Sequence, residues 1–234
     1  MECKTKWVDQ FLATGLIPSD LRDNTNYNVV LSKNEDYLAI AYPSTDTGQG
    51  CIYTFTKNGD EWNKDCQVTA DFRIKYSYFG HCLVMNNDAT IMAVSSIRTN
   101  PLGYNNNGVY VFTRKLGGIW IQEEQLVCKM KFSDNFGFSL SMNGTGNKLV
   151  IGSPNCKRTG YSSIYDIPGA VYLYSRTVEG KWRKVKKLEC KELFNPTLGY
   201  KVKINEVGTV ITSRDELGLT TAFALKSGQW VEMI

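Results

Sequence analysis

The sequence predicts an all-β protein, a β-propeller of about four four-stranded antiparallel blades. Three observations predict it. A tryptophan returns at a regular interval, four short strand-like runs follow each of the first four tryptophans, and no segment longer than a dozen residues keeps a 3.6-residue apolar period. The tryptophans are Trp7, Trp62, Trp120, Trp182 and Trp230, spaced 55, 58, 62 and 48 residues apart. Each opens a similar segment: KWVDQFL, EWNKDCQV, IWIQEEQL, KWRKVKKL and QWVEMI.

The elements follow in a fixed order. After each of the first four tryptophans comes a two-residue element: Tyr27-Asn28, Phe79-Gly80, Phe136-Gly137 or Leu198-Gly199. An alternating run follows, then a turn containing Asn34, Asn86, Asn143 or Asn205, then a second run: LAIAYP, IMAVSS, LVIGSP or TVITSR. The third runs are CIYTF, GVYVF, AVYLY and TAFAL. These runs are rich in Val, Ile, Tyr and Phe and are bounded by Gly, Asn, Asp and Ser, which favours strands. Leu31, Leu83, Leu140 and Val202 share one column, and Tyr53, Tyr110, Tyr172 and Phe223 another. Phe55, Phe112, Tyr174 and Leu225 lie two residues further, on the same strand face. Units that each hide one or two sheet faces pack radially as blades, here spanning approximately 27–68, 79–127, 136–189 and 198–234. A sandwich would not repeat so evenly, and a β-helix would have a shorter period. The Lys6–Leu12 segment is then a surplus strand. It is expected to add to the last blade, to start an incomplete one, or to pair with another chain, and an incompletely closed ring is compatible with it.

The order Phe-Gly, alternating run, Leu-Val-Ile-Gly-Ser-Pro, Gly-Ala-Val-Tyr and tryptophan resembles the FG-GAP repeat of integrin-α-like propellers. It is similar to the variety found in microbial and large-virus repeat proteins. The third repeat matches best, and the fourth has Thr212-Ser213-Arg214 where the pattern has Gly-Ala-Pro. In the third repeat the resemblance makes 136–142 the inner strand near the axis, 149–153 the second, 170–174 the third and 182–188 the outer edge. Glycine beside phenylalanine is expected where backbone approaches closely at the crowded axis. The resemblance implies a propeller used for binding, with no particular ligand.

Most catalytic and metal chemistry is missing from the pattern. Integrin-type calcium loops need alternating carboxylates, and the turns SKNEDY, NNDAT, NGTGNK and NEVGT do not supply them. The single histidine, His81, is expected on an inner strand in the column of Val29, Phe138 and Tyr200, so neither a zinc site nor a triad is expected. The Gly144–Lys148 stretch lacks phosphate-loop spacing and reads as a hairpin turn. Glu123 and Glu124 read as a solvated edge, and the tryptophans as aromatics packed between sheets. No cofactor and no metal are expected.

A formal net charge of +4, from 27 basic and 23 acidic residues spread along the chain, gives a mildly basic solvated surface and only a weak argument for nucleic acid, and no nucleic-acid partner is expected. The N-terminus has no apolar stretch of signal-peptide length, and no run approaches a membrane span. Seven cysteines without a CxxC pair then fit reduced thiols, in the cytoplasm or in a virion. The connection between second and third strands varies most between repeats, from STDTGQG to NCKRTGYSSIYDIPG. Variable loops on a rigid scaffold carry specificity, so Tyr104, Asn105, Asn106, Arg158, Tyr161, Tyr165 and Asp166 are the candidate contact residues. The expected function is non-catalytic: a protein-interaction or structural assembly module, a virion component being one version. Its partners would be other protein chains rather than a small-molecule substrate. A glycan-binding, lectin-like propeller is the alternative.

Overall fold

Four hairpin turns of one geometry set the register of the whole molecule. In a computed structural model that describes residues 26–71, 75–97, 108–128, 135–154, 169–189 and 197–233, each first strand ends at a polar residue whose side chain staples the turn. Asn86 Oδ1 accepts from the backbone N–H of Thr90 and Ile91, at 3.0 and 2.8 Å. Asn143 Oδ1 accepts from Lys148 N–H, and Asn205 Oδ1 from Thr209 and Val210 N–H. In the first repeat the staple is Ser32, whose Oγ accepts from Tyr37 N–H. The backbone agrees, since the Ser32, Asn86, Asn143 and Asn205 N–H groups all donate to the residue five positions on. A short side-chain acceptor that replaces the missing backbone partner is what Asn and Ser do in turns.

Sixteen strands form four antiparallel four-stranded sheets. Blade 1 comprises β1 (Asn28–Leu31), β2 (Tyr37–Tyr42), β3 (Cys51–Asn58) and β4 (Glu61–Val68). Blade 2 comprises β5 (Cys82–Met85), β6 (Ile91–Ser96), β7 (Gly108–Arg114) and β8 (Trp120–Leu126). Blade 3 comprises β9 (Ser139–Met142), β10 (Lys148–Ser153), β11 (Ala170–Arg176) and β12 (Trp182–Leu188). Blade 4 comprises β13 (Lys201–Ile204), β14 (Val210–Arg214), β15 (Thr220–Lys226) and β16 (Gln229–Met233). Strands pair in chain order within each sheet, and the first strands pack on one another in the order β1, β5, β9, β13. The arrangement is all-β and propeller-like, as the sequence predicts.

Two sequence expectations need correction. The staple at Ser32 shifts the first repeat by two residues, so Val29, not Leu31, shares the column of Leu83, Leu140 and Val202. Tyr27 accordingly takes the position of His81, Phe138 and Tyr200, and is not the counterpart of a Phe-Gly pair. The turn side chain there is a serine, which hid the offset behind Asn34. The third inner strand also begins at Ser139, three residues later than 136. Gly137 has φ +95 and closes a turn, in which Phe138 N–H donates to Asn135 C=O. A left-handed residue cannot continue a strand.

Each junction between consecutive blades joins two different faces. The preceding blade offers smaller side chains, for instance Ala39, Ala41, Ile52 and Val68 of blade 1. The following blade offers large ones, here Phe79, Met92, Tyr110, Phe112 and Trp120. The junction of blades 2 and 3 repeats this with Ala93, Val109, Val111 and Leu126 against Phe136, Leu149, Tyr172, Tyr174 and Trp182. Phe136 lies edge-on to Tyr172 with ring centres 5.3 Å apart, and Phe79 to Tyr110 at 5.5 Å. Burying several such rings per junction is the main apolar stabilisation of a fold whose sheets are each too thin to stand alone.

Candidate functional site

The strand directions give the molecule two unlike ends. At one end the four stapled hairpins meet. Lys33 N–H donates to Asn87 C=O, Asn87 N–H to Gly144 C=O, and Gly144 N–H to Glu206 C=O, at 3.0 to 3.1 Å. These are the residues just after the four staples, so a backbone chain steps from blade 1 to blade 4. The circle is completed by side chains, with Lys33 Nζ on Glu206 Oε1, which also accepts from Asn87 Nδ2. These donors hold the Glu206 carboxyl below its ordinary value, Lys33 contributing most. A shallow depression of about 600 Å³ lies beside it, lined by Asn87, Asn143, Gly144, Lys148 and Glu206.

The other end carries the connections between second and third strands and those between blades. There the residues that open the inner strands form an aromatic arc across three blades. The His81 and Phe138 rings are 5.7 Å apart, and the Phe138 and Tyr200 rings 5.0 Å. Each is half-buried and stands just before its inner strand, at the mouth end of the axis. Burial pushes the His81 imidazole below its ordinary pKa, and a backbone hydrogen bond with Phe138 opposes this only in part. His81 is therefore neutral near pH 7, a flat, weakly polar ring beside two aromatic ones.

The glycines before this arc account for the Phe-Gly pattern. A Cβ on Gly80 would sit 2.9 Å from the Ala41 Cβ of blade 1, and one on Gly199 would sit 2.5 Å from the Ala170 carbonyl of blade 3. Both have left-handed φ, +100 and +94. The close approach expected near the axis is thus an approach to the preceding blade. Beside the arc, the turn 43–50 docks on the chain entering blade 2. Tyr76 N–H donates to Thr47 C=O and Tyr78 N–H to Gly48 C=O. Asp46, Thr47, Tyr76 and Tyr78 all have positive φ, between 48 and 59°. Four strained non-glycine residues in two apposed loops mark a connection fixed by its surroundings.

The outer strands carry polar links between blades. The ladder is bulged on β4, β8 and β12, and the bulges of β4 and β8 turn Asp65 and Glu123 toward the next blade. Glu123, in the bulge of β8, pairs with Lys115 at 3.1 Å and with Arg176 of blade 3 at 2.9 Å. Burial alone would raise its pKa, but hydrogen bonds from Lys115, Thr113 and Arg176 hold it below the ordinary value. Glu124 accepts from Trp182 N–H at 3.0 Å. Glu123 and Glu124 therefore tie blade 2 to blade 3, which corrects their reading as a solvated edge. In blade 1, Asp65 accepts from Tyr37 Oη at 2.7 Å, and Tyr37 Oη accepts from Trp120 Nε1 at 2.7 Å. Trp62, Trp120 and Trp182 are at most 8% exposed, and the rings of Trp120 and Trp182 are packed between sheets. An open cleft of about 310 Å³ beside Trp120 is lined by Asp65, Cys66, Gln67, Gly118 and Gln122.

The contact residues expected from sequence, Tyr104, Asn105, Asn106, Arg158, Tyr161, Tyr165 and Asp166, lie outside the described residues, as does the Lys6–Leu12 strand. The described residues that flank these two connections, Ser96 and Gly108, Ser153 and Ala170, lie at the end that carries the aromatic arc. Among the described residues there is no group of three or more His, Cys, Asp or Glu side chains placed to hold a metal ion, and no helix is long and apolar enough to cross a membrane. The arc itself was missed, because the offset of the first repeat placed Val29 in its column. The signal was present, since Tyr27, His81, Phe138 and Tyr200 each lie five residues before a turn staple.

The fold and the arc define a class, a propeller-like repeat protein with an aromatic axial mouth. No family model matches the chain, and no curated protein matches it. Among solved structures it is similar to Kuenenia stuttgartiensis hydrazine synthase, with a TM-score of 0.58 at 12% identity. The match covers 84% of this chain and 51% of that one, so the chain spans about half the length of the structure it resembles. At that identity the likeness is one of fold.

Proposed function

We propose that the protein is a non-catalytic interaction module of the FG-GAP-like propeller type that binds another protein chain at its axial mouth. The observation that carries this reading is the half-buried arc of His81, Phe138 and Tyr200 at the end where the variable connections leave. Partly exposed aromatic rings on a rigid frame are what a protein-binding surface uses as anchors. The FG-GAP type is supported by the left-handed glycines Gly80, Gly137 and Gly199, each placed where a Cβ would crowd the preceding blade. Assembly into a larger particle is one form that such binding would take.

The alternative, a lectin-like propeller, draws on the open cleft beside Trp120 and its polar lining. The burial of the Trp120 ring weakens it, because a stacking platform must present its face. Affinity capture with wild type and a Phe138→Ala/Tyr200→Ala variant, run beside a glycan array, separates the two. A discrete protein held by wild type and lost by the variant is the expected result. Equal capture by both contradicts the mouth as the binding surface, and strong glycan binding without protein capture favours the lectin.

A further inference from the structure

The four outer strands are not equally protected at their edges. In β4, β8 and β12 the pairing with the third strand is interrupted by a bulge. Each of the three also carries at least two charged residues: Glu61, Lys64 and Asp65 on β4, Glu123 and Glu124 on β8, and Arg183, Lys184, Lys186 and Lys187 on β12. Bulges and charge are two devices that keep an edge strand from pairing with another chain. β16 has no bulge and little charge. It pairs with β15 in unbroken register, from Lys226 opposite Gln229 to Ala222 opposite Met233, and Glu232 is its one charged residue.

The strand is held regular up to its edge. Ser227 and Gly228 close the β15–β16 hairpin as a two-residue turn with φ +48 and +77, the left-handed pair whose twist matches a regular ladder. Trp230 packs against the core between blades 3 and 4. Val231 is half-buried, and Gln229 and Met233 are exposed. Val231 stands opposite Ala224 and Met233 opposite Ala222, so apolar surface runs across one face of blade 4 to its rim, where the described sheet ends.

The sequence of this edge is complementary to itself. Two β16 strands paired antiparallel about Val231 set Val231 opposite Val231, Trp230 opposite Glu232 and Gln229 opposite Met233, so like charges never meet. The same pairing of β12 about Val185 would set Lys184 against Lys186 and Arg183 against Lys187. We infer that β16 is a docking edge for a second copy of this chain, which joins two blade 4 sheets into one antiparallel sheet across a two-fold axis. A single short strand from each copy makes a small contact, so the dimer forms and dissociates with concentration. The inference is independent of the mouth as a binding surface, since β16 shares no residue with the aromatic arc.

Sedimentation of the full chain over a range of concentrations reads the dimer, with Val231→Lys and Val231→Glu measured alone and mixed. Like charges directly opposite across a strand pair repel and opposite charges attract. The expected result is a concentration-dependent dimer for wild type, a dissociation constant raised about tenfold or more for each variant alone, and recovery in the equimolar mixture. A wild-type chain that stays monomeric overturns the inference, whether another segment of the chain or a different protein occupies the edge. A dimer that each variant alone keeps unchanged also overturns it, as does a loss that mixing does not reverse. If the charged variants fail to fold, Val231→Cys decides under mild oxidation, with Val185→Cys on β12 as its control. A covalent dimer linked through residue 231 and absent from the control supports the inference, and no link at residue 231 overturns it.

Discussion

The hairpin end and the mouth end are built from the same sixteen strands yet use their residues in opposite ways. At the hairpin end each blade repeats one device, an Asn or Ser stapling its own turn, and the backbone chain from Lys33 to Glu206 links the four copies. At the mouth end the connections differ in length from blade to blade and the entering residues are half-buried aromatics. Under the proposed function, the difference teaches that repetition serves stability while variation would serve recognition. Substitutions at the hairpin end should cost folding. Those in the aromatic arc should cost binding first.

The largest expected effect tests the one feature of the mouth end that is structural, the glycine behind the arc. Gly199→Ala places a Cβ 2.5 Å from a backbone carbonyl at φ +94 and should cost about 3 kcal/mol in urea unfolding. Gly59→Ala is its control, with φ +63 and nothing within 4 Å, and should cost about 1 kcal/mol from backbone conformation alone. Equal costs would show that close approach to the preceding blade contributes nothing.

A direct contrast of the two ends comes next. Asn143 is 2% exposed and makes three hydrogen bonds within its turn, so Asn143→Ala should cost about 2 kcal/mol. Phe138→Ala removes a half-buried ring and should cost about 1 kcal/mol while the chain stays folded. A reversed order would break the division of labour between the ends.

The acid side of the stability profile sharpens it further. His81, the chain's single histidine, has a folded pKa below the ordinary 6.5. As pH falls below that value the unfolded chain takes up the proton first, so stability drops until the folded pKa is reached. Replacing it with the ring found at the same position of blade 3, His81→Phe, should remove this loss as pH falls below the ordinary 6.5, read from urea midpoints. The smallest effect concerns Tyr42, the last residue of β2 at the mouth end, whose hydroxyl is buried without a hydrogen-bond partner among the described residues. Burial pushes its phenol pKa well up. Tyr42→Phe removes an unsatisfied polar group and should leave stability unchanged or raise it by about 1 kcal/mol.

Much of this architecture was readable from the sequence because its causes are local and repeated. Strand composition, turn chemistry and the tryptophan interval each recur four times, so a chance match in one repeat is corrected by the others. The exception shows the limit. A serine staples the first turn where asparagine staples the rest, and following Asn34 moved that repeat by two residues and hid Tyr27 among unrelated positions. The links between blades were not readable. Glu123 and Arg176 are 53 residues apart and meet only because the β8 bulge aims the carboxylate across the junction. Blade 2 has Ile91 where blade 1 has Tyr37, so Trp182 Nε1 lacks the hydroxyl that Trp120 uses and has no partner among the described residues.

The claim that the mouth end is the recognition surface is tested most directly by site-specific photo-crosslinking. A photoreactive phenylalanine analogue is placed at Phe138 in one variant and at Glu206, in the hairpin end, in another. Each is irradiated in an extract of the cells or particles from which the protein comes. The account predicts a discrete crosslinked protein from position 138 that is absent from position 206 and disappears when Tyr200 is also changed to alanine. The same product from position 206 alone, with nothing at position 138, would place recognition at the wrong end and contradict it.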